Sequence, residues 1–400
     1  MTLAQIGACH ETGVCRATYT PEWIAAQALV ERWAQEAGMT TRYDAVGDLI
    51  GRVDGSEGGK VIMSGSHIDS QLPGGRYDGA LGVIAALTAI ETLVATYGQP
   101  KRPLEMISFC EEEGSAFSGA RFWGSRAITS DIPDGEWDRI MGNSGDHIGK
   151  SIGQVMQELG YPPERIPDAR RDDLDVFIEL HIEQGPILEQ AGLPVGVVNI
   201  INGTFGFQVT VQGIANHAGA RPMDMRNDPL VAVAEMILAV NRNALEMGRP
   251  AVSTVGHVEV EPNASPIIPD RVIFSIDCRH NDMAKLRELR EAHERSVTEI
   301  AAKHGVEVSW SQRPALEPCV CDPQVVETLE AAAREQGIPA LTMPSGALHD
   351  TQRMSQVARV AMLFVQSRDG RSHTPAEFTS IEHAVAGIQV LAAALHKLAY

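Results

Sequence analysis

The chain has 400 residues, more than a usual single domain, so two domains or one domain with an insertion are expected. Apolar residues make up 44%, enough for a sizeable core, and 33 basic against 52 acidic side chains leave a formal charge of −19. That balance favours neither nucleic acid nor an anionic membrane surface, and neither is expected as a partner.

Six cysteines, Cys9, Cys15, Cys110, Cys278, Cys319 and Cys321, form no C-x-x-C pair and no small disulfide framework. All are expected as free thiols of a reducing, cytoplasmic compartment. The first residues lack the basic-then-apolar order of a signal peptide, and no apolar run is read as reaching the roughly 18 residues of a membrane span.

In chain order, positions 21–37 repeat apolar residues at helical spacing (Trp23, Ile24, Ala28, Leu29, Trp33), and Gly38 ends that helix. Positions 41–46 and 49–53 read as a strand pair turning at Gly47 and Asp48. Positions 61–64 and 104–109 read as short buried strands with a helix, 80–95, between them. That order implies a right-handed crossover and a parallel pair. The loop after the first strand carries His67, Asp69 and Asp78. An imidazole and a carboxylate eleven residues apart can meet at one metal ion if the chain doubles back, and Gly74 and Gly75 are expected to permit that return. Asp69 is suited to hold the other ring nitrogen of His67, as carboxylates often do for metal-bound histidines.

Directly after the 104–109 strand stand Glu111, Glu112 and Glu113, followed by Gly114. Adjacent like charges repel and burial raises their pKa values, a cost that a cation relieves. The plain alternative is a solvated acidic loop. Positions 137–166 are polar and rich in glycine and proline, with a short helix at 152–159. A strand at 176–180 then ends in His181, a third potential ligand at the end of a buried strand.

From 207 the pattern changes. Positions 207–212 alternate as a half-exposed strand, helices are expected at 228–243 and 283–303, and strands at 253–260, 272–277 and 307–310. This is one α+β sandwich of about 110 residues, a usual size for a small domain. It is read as an insertion, 207–313, between two parts of a catalytic domain, 1–206 and 314–400. The remaining chain resumes helix–strand alternation at 323–336, 340–343 and 361–364, then His373, then a closing helix at 381–398. The expected fold class is α/β: a mostly parallel sheet with flanking helices, plus the inserted α+β sandwich.

Five residues stand out as ligands: His67, Asp78, Glu113, His181 and His373. Two sets of histidine and carboxylate sharing one aspartate suit two divalent ions. Mixed nitrogen and oxygen donors fit zinc, manganese, cobalt or nickel and do not choose among them. Two such ions activate a water and polarise a carbonyl. Glu112, a neighbouring carboxylate that is not itself a ligand, is placed to take the water's proton.

The stretches GSHIDS (65–70), GGRYDGALGV (74–83), EEEGSAF (111–117), ELHIEQG (179–185), NHAGARPM (216–223), PNASPIIPDRVIFSIDCR (262–279) and RSHTPAE (371–377) together resemble the M20 metallopeptidase superfamily. Within it, they resemble the amidase/hydantoinase–carbamoylase group of N-carbamoyl-L-amino acid, allantoate and ureidoglycolate amidohydrolases. The resemblance implies one ion on His67, Asp78 and His181 and another on Asp78, Glu113 and His373, with zinc or manganese favoured. It implies that Glu112 is the general base, that the insertion is a lid and homodimerisation domain, and that His217 on that lid reaches a partner subunit's site and stabilises the developing oxyanion there. It also implies that Gln184, Asn216, Asn263, Arg279 and Gly346 hold a small carboxylate substrate, Arg279 through its carboxylate.

Two departures bear on the substrate. Leu348 replaces a glycine of the group's S-G-A-G-H-D pattern, and the segment 202–206 lacks an arginine that allantoate-type relatives share. Both make the expected pocket more apolar. The expected reaction is hydrolysis of the C–N bond of an N-carbamoyl amino acid or related ureido acid. The alternatives are an N-acyl amino acid hydrolase or dipeptidase of the same superfamily, and a non-catalytic protein that has kept the fold.

Overall fold

The computed structural model describes residues 1–312 and 315–400. It divides into two compact units, Met1–Asn199 with Val320–Tyr400, and Ile200–Cys319. The insertion end expected at residue 313 lies outside the described residues.

In the first unit four strands run parallel at the centre of the sheet, in the order Arg359–Val365, Leu174–Ile182, Val61–His67 and Leu104–Phe109. Leu49–Val53 and Thr40–Tyr43 extend it antiparallel beyond Leu104–Phe109. On the other side Val195–Ile201, a strand the sequence pattern did not reveal, runs antiparallel to Arg359–Val365. Val61–His67 and Leu104–Phe109 are buried at every position, as strands covered on both faces must be. Because the four central strands are parallel, His67, Phe109 and His181 all fall at their carboxyl ends, where open α/β sheets place their sites.

The helices Ala80–Tyr97 and Ile381–Ala399 pack on each other and on these strands. Contrary to expectation, Ala80–Tyr97 is long and apolar enough to cross a membrane by length and composition. The reason is its place in the fold: Val83, Ala86, Leu87, Ile90 and Leu93 are buried, so its apolarity serves the core.

The cysteine expectation also needs correction. Ala8–Cys9 and Gly13–Val14 form a small antiparallel hairpin, which brings the Cα atoms of Cys9 and Cys15 to 5.9 Å, and the two are joined in a disulfide. Cys110, Cys278, Cys319 and Cys321 are buried.

The second unit is an antiparallel sheet in the order Val252–Thr254, Arg271–His280, Gly203–Gln212, Glu307–Gln312, with Val258–Glu261 also paired to Arg271–His280. Arg271–His280 alternates strictly, burying Val272, Phe274, Ile276 and Cys278. Phe205, Phe207, Val209 and Val211 do the same on the neighbouring strand, and these residues share one core with the helices Pro229–Met247 and Met283–His304. Asp228 and Asp282 cap those helices by accepting two backbone N–H groups each, worth about 1 kcal/mol per cap. Gly206 belongs to a strand, paired with Asp277, because Phe205 and Phe207 alternate into the core on either side of it.

Candidate metal centre

The five expected ligands converge at the carboxyl ends of the parallel strands. His67 Nε2 lies 3.5 Å from Asp78 Oδ1, and His181 Nε2 lies 3.1 Å from the same oxygen. His373 Nε2 lies 3.4 Å from Asp78 Oδ2 and 3.6 Å from Glu113 Oε2. The donor atoms of His67, Asp78 and His181 all lie within 4.8 Å of one another, and so do those of Asp78, Glu113 and His373. Asp78 belongs to both sets, one oxygen toward each.

The backbone makes this close approach at Gly79 (φ +60°), where an added Cβ would lie 2.4 Å from the His67 ring. Gly74 and Gly75, expected to supply the return, take no positive φ. Gly74 instead pairs with Val14 through two backbone hydrogen bonds. Glu111 (φ +52°), Gln184 (φ +58°) and His373 (φ +56°) all adopt left-handed backbone, at a cost of roughly 1–2 kcal/mol each. Such strain gathers at functional sites.

The chemistry of the donor set fits a cation. His67 Nδ1 faces the backbone carbonyl of Asp69 at 3.1 Å, and His181 Nδ1 that of Ile182 at 2.9 Å. Each Nδ1 therefore carries the proton; His67 Nε2 turns its lone pair toward the Asp78 carboxylate, and His181 Nε2, beside the same carboxylate, accepts the Gly79 N–H at 3.1 Å. Two electron-rich groups face to face need a proton or a metal ion between them, and this is how metal-binding histidines are held. Burial opposes a charged His67, yet Asp69, Asp78 and Glu112 outweigh it and hold its pKa well above the usual histidine range. Burial likewise opposes the Asp78 charge, but His181 and His67 hold that carboxyl well below the usual range.

The three consecutive glutamates divide their work. Glu111 turns inward, where its Oε1 accepts the N–H groups of Ala116 (3.0 Å) and Phe117 (2.7 Å). Glu113 faces His373. Glu112 stands between, its Oε2 3.8 Å from His67 Nε2 and its Oε1 3.9 Å from the Arg121 guanidinium. Burial pushes the Glu112 pKa well up, while Arg121 and His67 work against that. The Asp69 carboxylate lies 3.5 Å from His67 Nδ1 and accepts the backbone N–H groups of Glu112 (3.3 Å) and Glu113 (3.1 Å).

Gln184, expected to touch substrate, donates from Nε2 to Asp78 Oδ2 at 2.7 Å and to Ser372 Oγ at 3.1 Å. A third grouping, Glu179, His181 and His349, shares His181 with the first. Ser66 Oγ donates to Glu179 Oε1 at 2.7 Å, and Thr351 Oγ1 to Oε2 at 2.6 Å. Gly346 lies between Ser345, which closes the Ala340–Ser345 strand, and Leu348, which is 4% exposed.

In the second unit, Asn216–His217 pairs with Ile267–Ile268, and Ala218 N–H donates to the Pro266 carbonyl. This holds His217 against the loop that carries Asn263, itself in left-handed backbone (φ +54°). His217 is exposed, and its Nδ1 accepts the N–H groups of Gly219 (3.0 Å) and Ala220 (3.2 Å). Its Nε2 is thus the nitrogen that carries a proton outward. Arg279 Nε donates to Asp277 Oδ1 at 2.8 Å. Asn216 Oδ1 accepts the His217 N–H at 2.9 Å.

Residues that the sequence did not single out are Arg121, Ser372 and Glu377. The one available signal was position: Ser372 and Glu377 lie in the same RSHTPAE stretch as His373.

Residues 64–397 match the family model for peptidase family M20/M25/M40. The allantoate amidohydrolase of Bacillus subtilis (strain 168) is 38% identical over 399 residues, covering 100% of this chain and 96% of that one. The N-carbamoyl-L-amino-acid amidohydrolase of Paenarthrobacter aurescens is 38% identical over 382 residues, covering 95% and 92%. Among solved structures, a hydantoinase/carbamoylase family amidase from Burkholderia multivorans superposes with a TM-score of 0.88 at 35% identity, covering 99% of this chain and 95% of that one. The mostly parallel sheet, the ligand clusters at its carboxyl edge and these full-length likenesses agree: the chain belongs to peptidase family M20/M25/M40, among its hydantoinase/carbamoylase-type amidases.

Proposed function

We propose that the chain is a metal-dependent amidohydrolase, holding two divalent ions, that cleaves the C–N bond of a ureido group on a small carboxylate such as an N-carbamoyl amino acid. The observation that carries this reading is Asp78, which turns one oxygen to His67 and His181 and the other to His373. Zinc or manganese is the proposed metal, with cobalt and nickel compatible. When bound, such ions activate a water and polarise the substrate carbonyl. The names of the relatives, allantoate and N-carbamoyl-L-amino-acid amidohydrolases, support the substrate class.

The chain's own residues do the rest. Glu112, buried and with a raised pKa, takes the proton of the attacking water and returns it to the departing nitrogen. His217, whose Nε2 bears the outward proton, donates to the developing oxyanion in a partner subunit's site. Arg279 grips the substrate carboxylate, for which a planar guanidinium is suited, and Asn216, Asn263, Gln184 and Gly346 complete the substrate contacts. With a carbamoyl substrate the products are the amine, carbon dioxide and ammonia.

We place the protein in the cytoplasm; the buried thiols of Cys110 and Cys278 support this reading and the Cys9–Cys15 disulfide speaks against it. We also propose a homodimer through the second unit. Val231, Leu238 and Leu245 lie on one exposed stripe of the Pro229–Met247 helix, at 51%, 69% and 73% exposure. An apolar stripe left to water at seven-residue spacing is what a partner helix covers.

The test is ammonia release from N-carbamoyl-L- and D-amino acids, allantoate, ureidoglycolate and β-ureidopropionate. Chelated protein is reloaded with each metal in turn, and acetyl amino acids and dipeptides are followed by amine release. Metal-dependent ammonia from a ureido compound is expected. Activity confined to the acyl or peptide substrates would replace this reading with that of an N-acyl hydrolase or dipeptidase.

A further inference from the structure

A buried carboxylate of the first unit touches both loops of the second ligand group and has no part in the chemistry above. Glu377 is 3% exposed. Its Oε1 accepts the backbone N–H groups of Tyr77 (2.8 Å) and Asp78 (2.9 Å). Its Oε2 lies 3.1 Å from the hydroxyl of Ser372, the residue before His373. Ser372 Oγ also donates to Asp78 Oδ2 at 2.7 Å, the oxygen that His373 Nε2 faces at 3.4 Å. Main chain and side chain of Asp78 are therefore both tied to the His373 loop, and Glu377 makes the main-chain tie.

The surroundings are shaped around that carboxylate. A Cβ added at Gly75 would lie 2.1 Å from Glu377 Oε1 and 2.2 Å from its Cδ, so position 75 has room for no side chain. Glu377 N–H donates to the Thr374 carbonyl at 3.1 Å, closing the loop over His373. His373 keeps its left-handed backbone only while contacts of this kind hold it. A carboxylate buried this deeply is costly unless its oxygens are bonded, and the bonds it makes here all go to ligand-bearing loops.

We infer that Glu377 is a positioning residue. By bonding the main chain of Asp78 and meeting Ser372, it fixes the separation of Asp78 and His373, and with it the affinity of the Asp78–Glu113–His373 group for its ion. This rests on the two-ion reading above.

The test compares wild type, Glu377→Ala and Glu377→Gln. Bound metal is counted by elemental analysis after dialysis against buffered zinc, and the visible absorption of the cobalt-loaded proteins is recorded. Wild type is expected to hold about two ions per chain. Glu377→Ala keeps one and binds the second about 10–100-fold more weakly, with a changed cobalt spectrum. Glu377→Gln, whose amide oxygen still accepts both N–H groups, restores the wild-type count and spectrum.

A Glu377→Ala protein that binds both ions as wild type does overturns the inference. So does a Glu377→Gln protein as weak as the alanine variant, since charge rather than the two N–H bonds would then be what matters. If Glu377→Ala does not fold, Glu377→Gln alone decides: wild-type binding supports the inference and a lost ion overturns it. A wild type that binds fewer than two ions fails the two-ion reading itself, and the inference with it. That outcome is distinct from two ions in every variant, which overturns the inference alone.

Discussion

The Asp69 carboxylate accepts the backbone N–H of Glu113 at 3.1 Å, which ties the loop of one ligand group to the loop of the other. With Glu112 it accepts a second N–H at 3.3 Å, and its carbonyl faces His67 Nδ1. In Asp69→Ala both N–H groups lose their acceptor in a buried place, at about 1–3 kcal/mol each. The variant is expected to melt at lower temperature and to bind metal about 10–100-fold more weakly. Asp69→Asn, which keeps one acceptor oxygen, is expected to fall between. Calorimetric melting and a metal titration of the three proteins check this, and an alanine variant that binds metal like wild type refutes it.

Glu112 and Arg121 set a pH dependence. Burial raises the Glu112 pKa, and the Arg121 guanidinium 3.9 Å away favours the charged form and so opposes the rise. A general base works only when ionised, so activity falls as the pH drops through its pKa. Removing the cation in Arg121→Ala raises that pKa further and moves the acid limb of kcat/KM to higher pH. Arg121→Lys keeps the charge and moves it less. A pH–rate profile of the three proteins makes the check; an acid limb that stays put, or moves to lower pH, excludes this role for Arg121.

The stripe on the Pro229–Met247 helix predicts an assembly. A charge at Leu238, 69% exposed in the single chain, meets only water if the face is free and an apolar partner if it is covered. Light scattering on wild type is expected to give the mass of a dimer, and Leu238→Glu that of a monomer with an unchanged circular dichroism spectrum. A wild-type monomer at micromolar concentration contradicts the dimer.

The sequence carried the centre of the site because ligands on loops after parallel strands need little long-range information. An apolar run marks the strand, and the first histidine at its end marks the ligand, as at His67 and His181. The adjacent glutamates could not be sorted this way. Only the backbone turn at Glu111 (φ +52°) sends that side chain inward and leaves Glu112 and Glu113 facing the ligands. Glu377 was hidden for a different reason: its partners, Tyr77 and Asp78, lie about 300 residues away, and no local pattern encodes a bond to a distant main chain. The Cys9–Cys15 pair followed from a hairpin too short for its alternation to register. The apolarity of Ala80–Tyr97 records burial between a sheet and a helix, which composition does not distinguish from burial in lipid.

The central claim is that the ligands hold metal while Glu112 moves the proton, and Glu112→Gln separates the two. The variant changes one oxygen to an amide nitrogen beside His67 without touching a ligand. Metal content and the rate of ammonia release from the best ureido substrate are to be measured on the same preparation. The account predicts wild-type metal content and a rate lower by about 10²–10⁴-fold. A Glu112→Gln protein that retains its metal and turns over at a rate near wild type would contradict it.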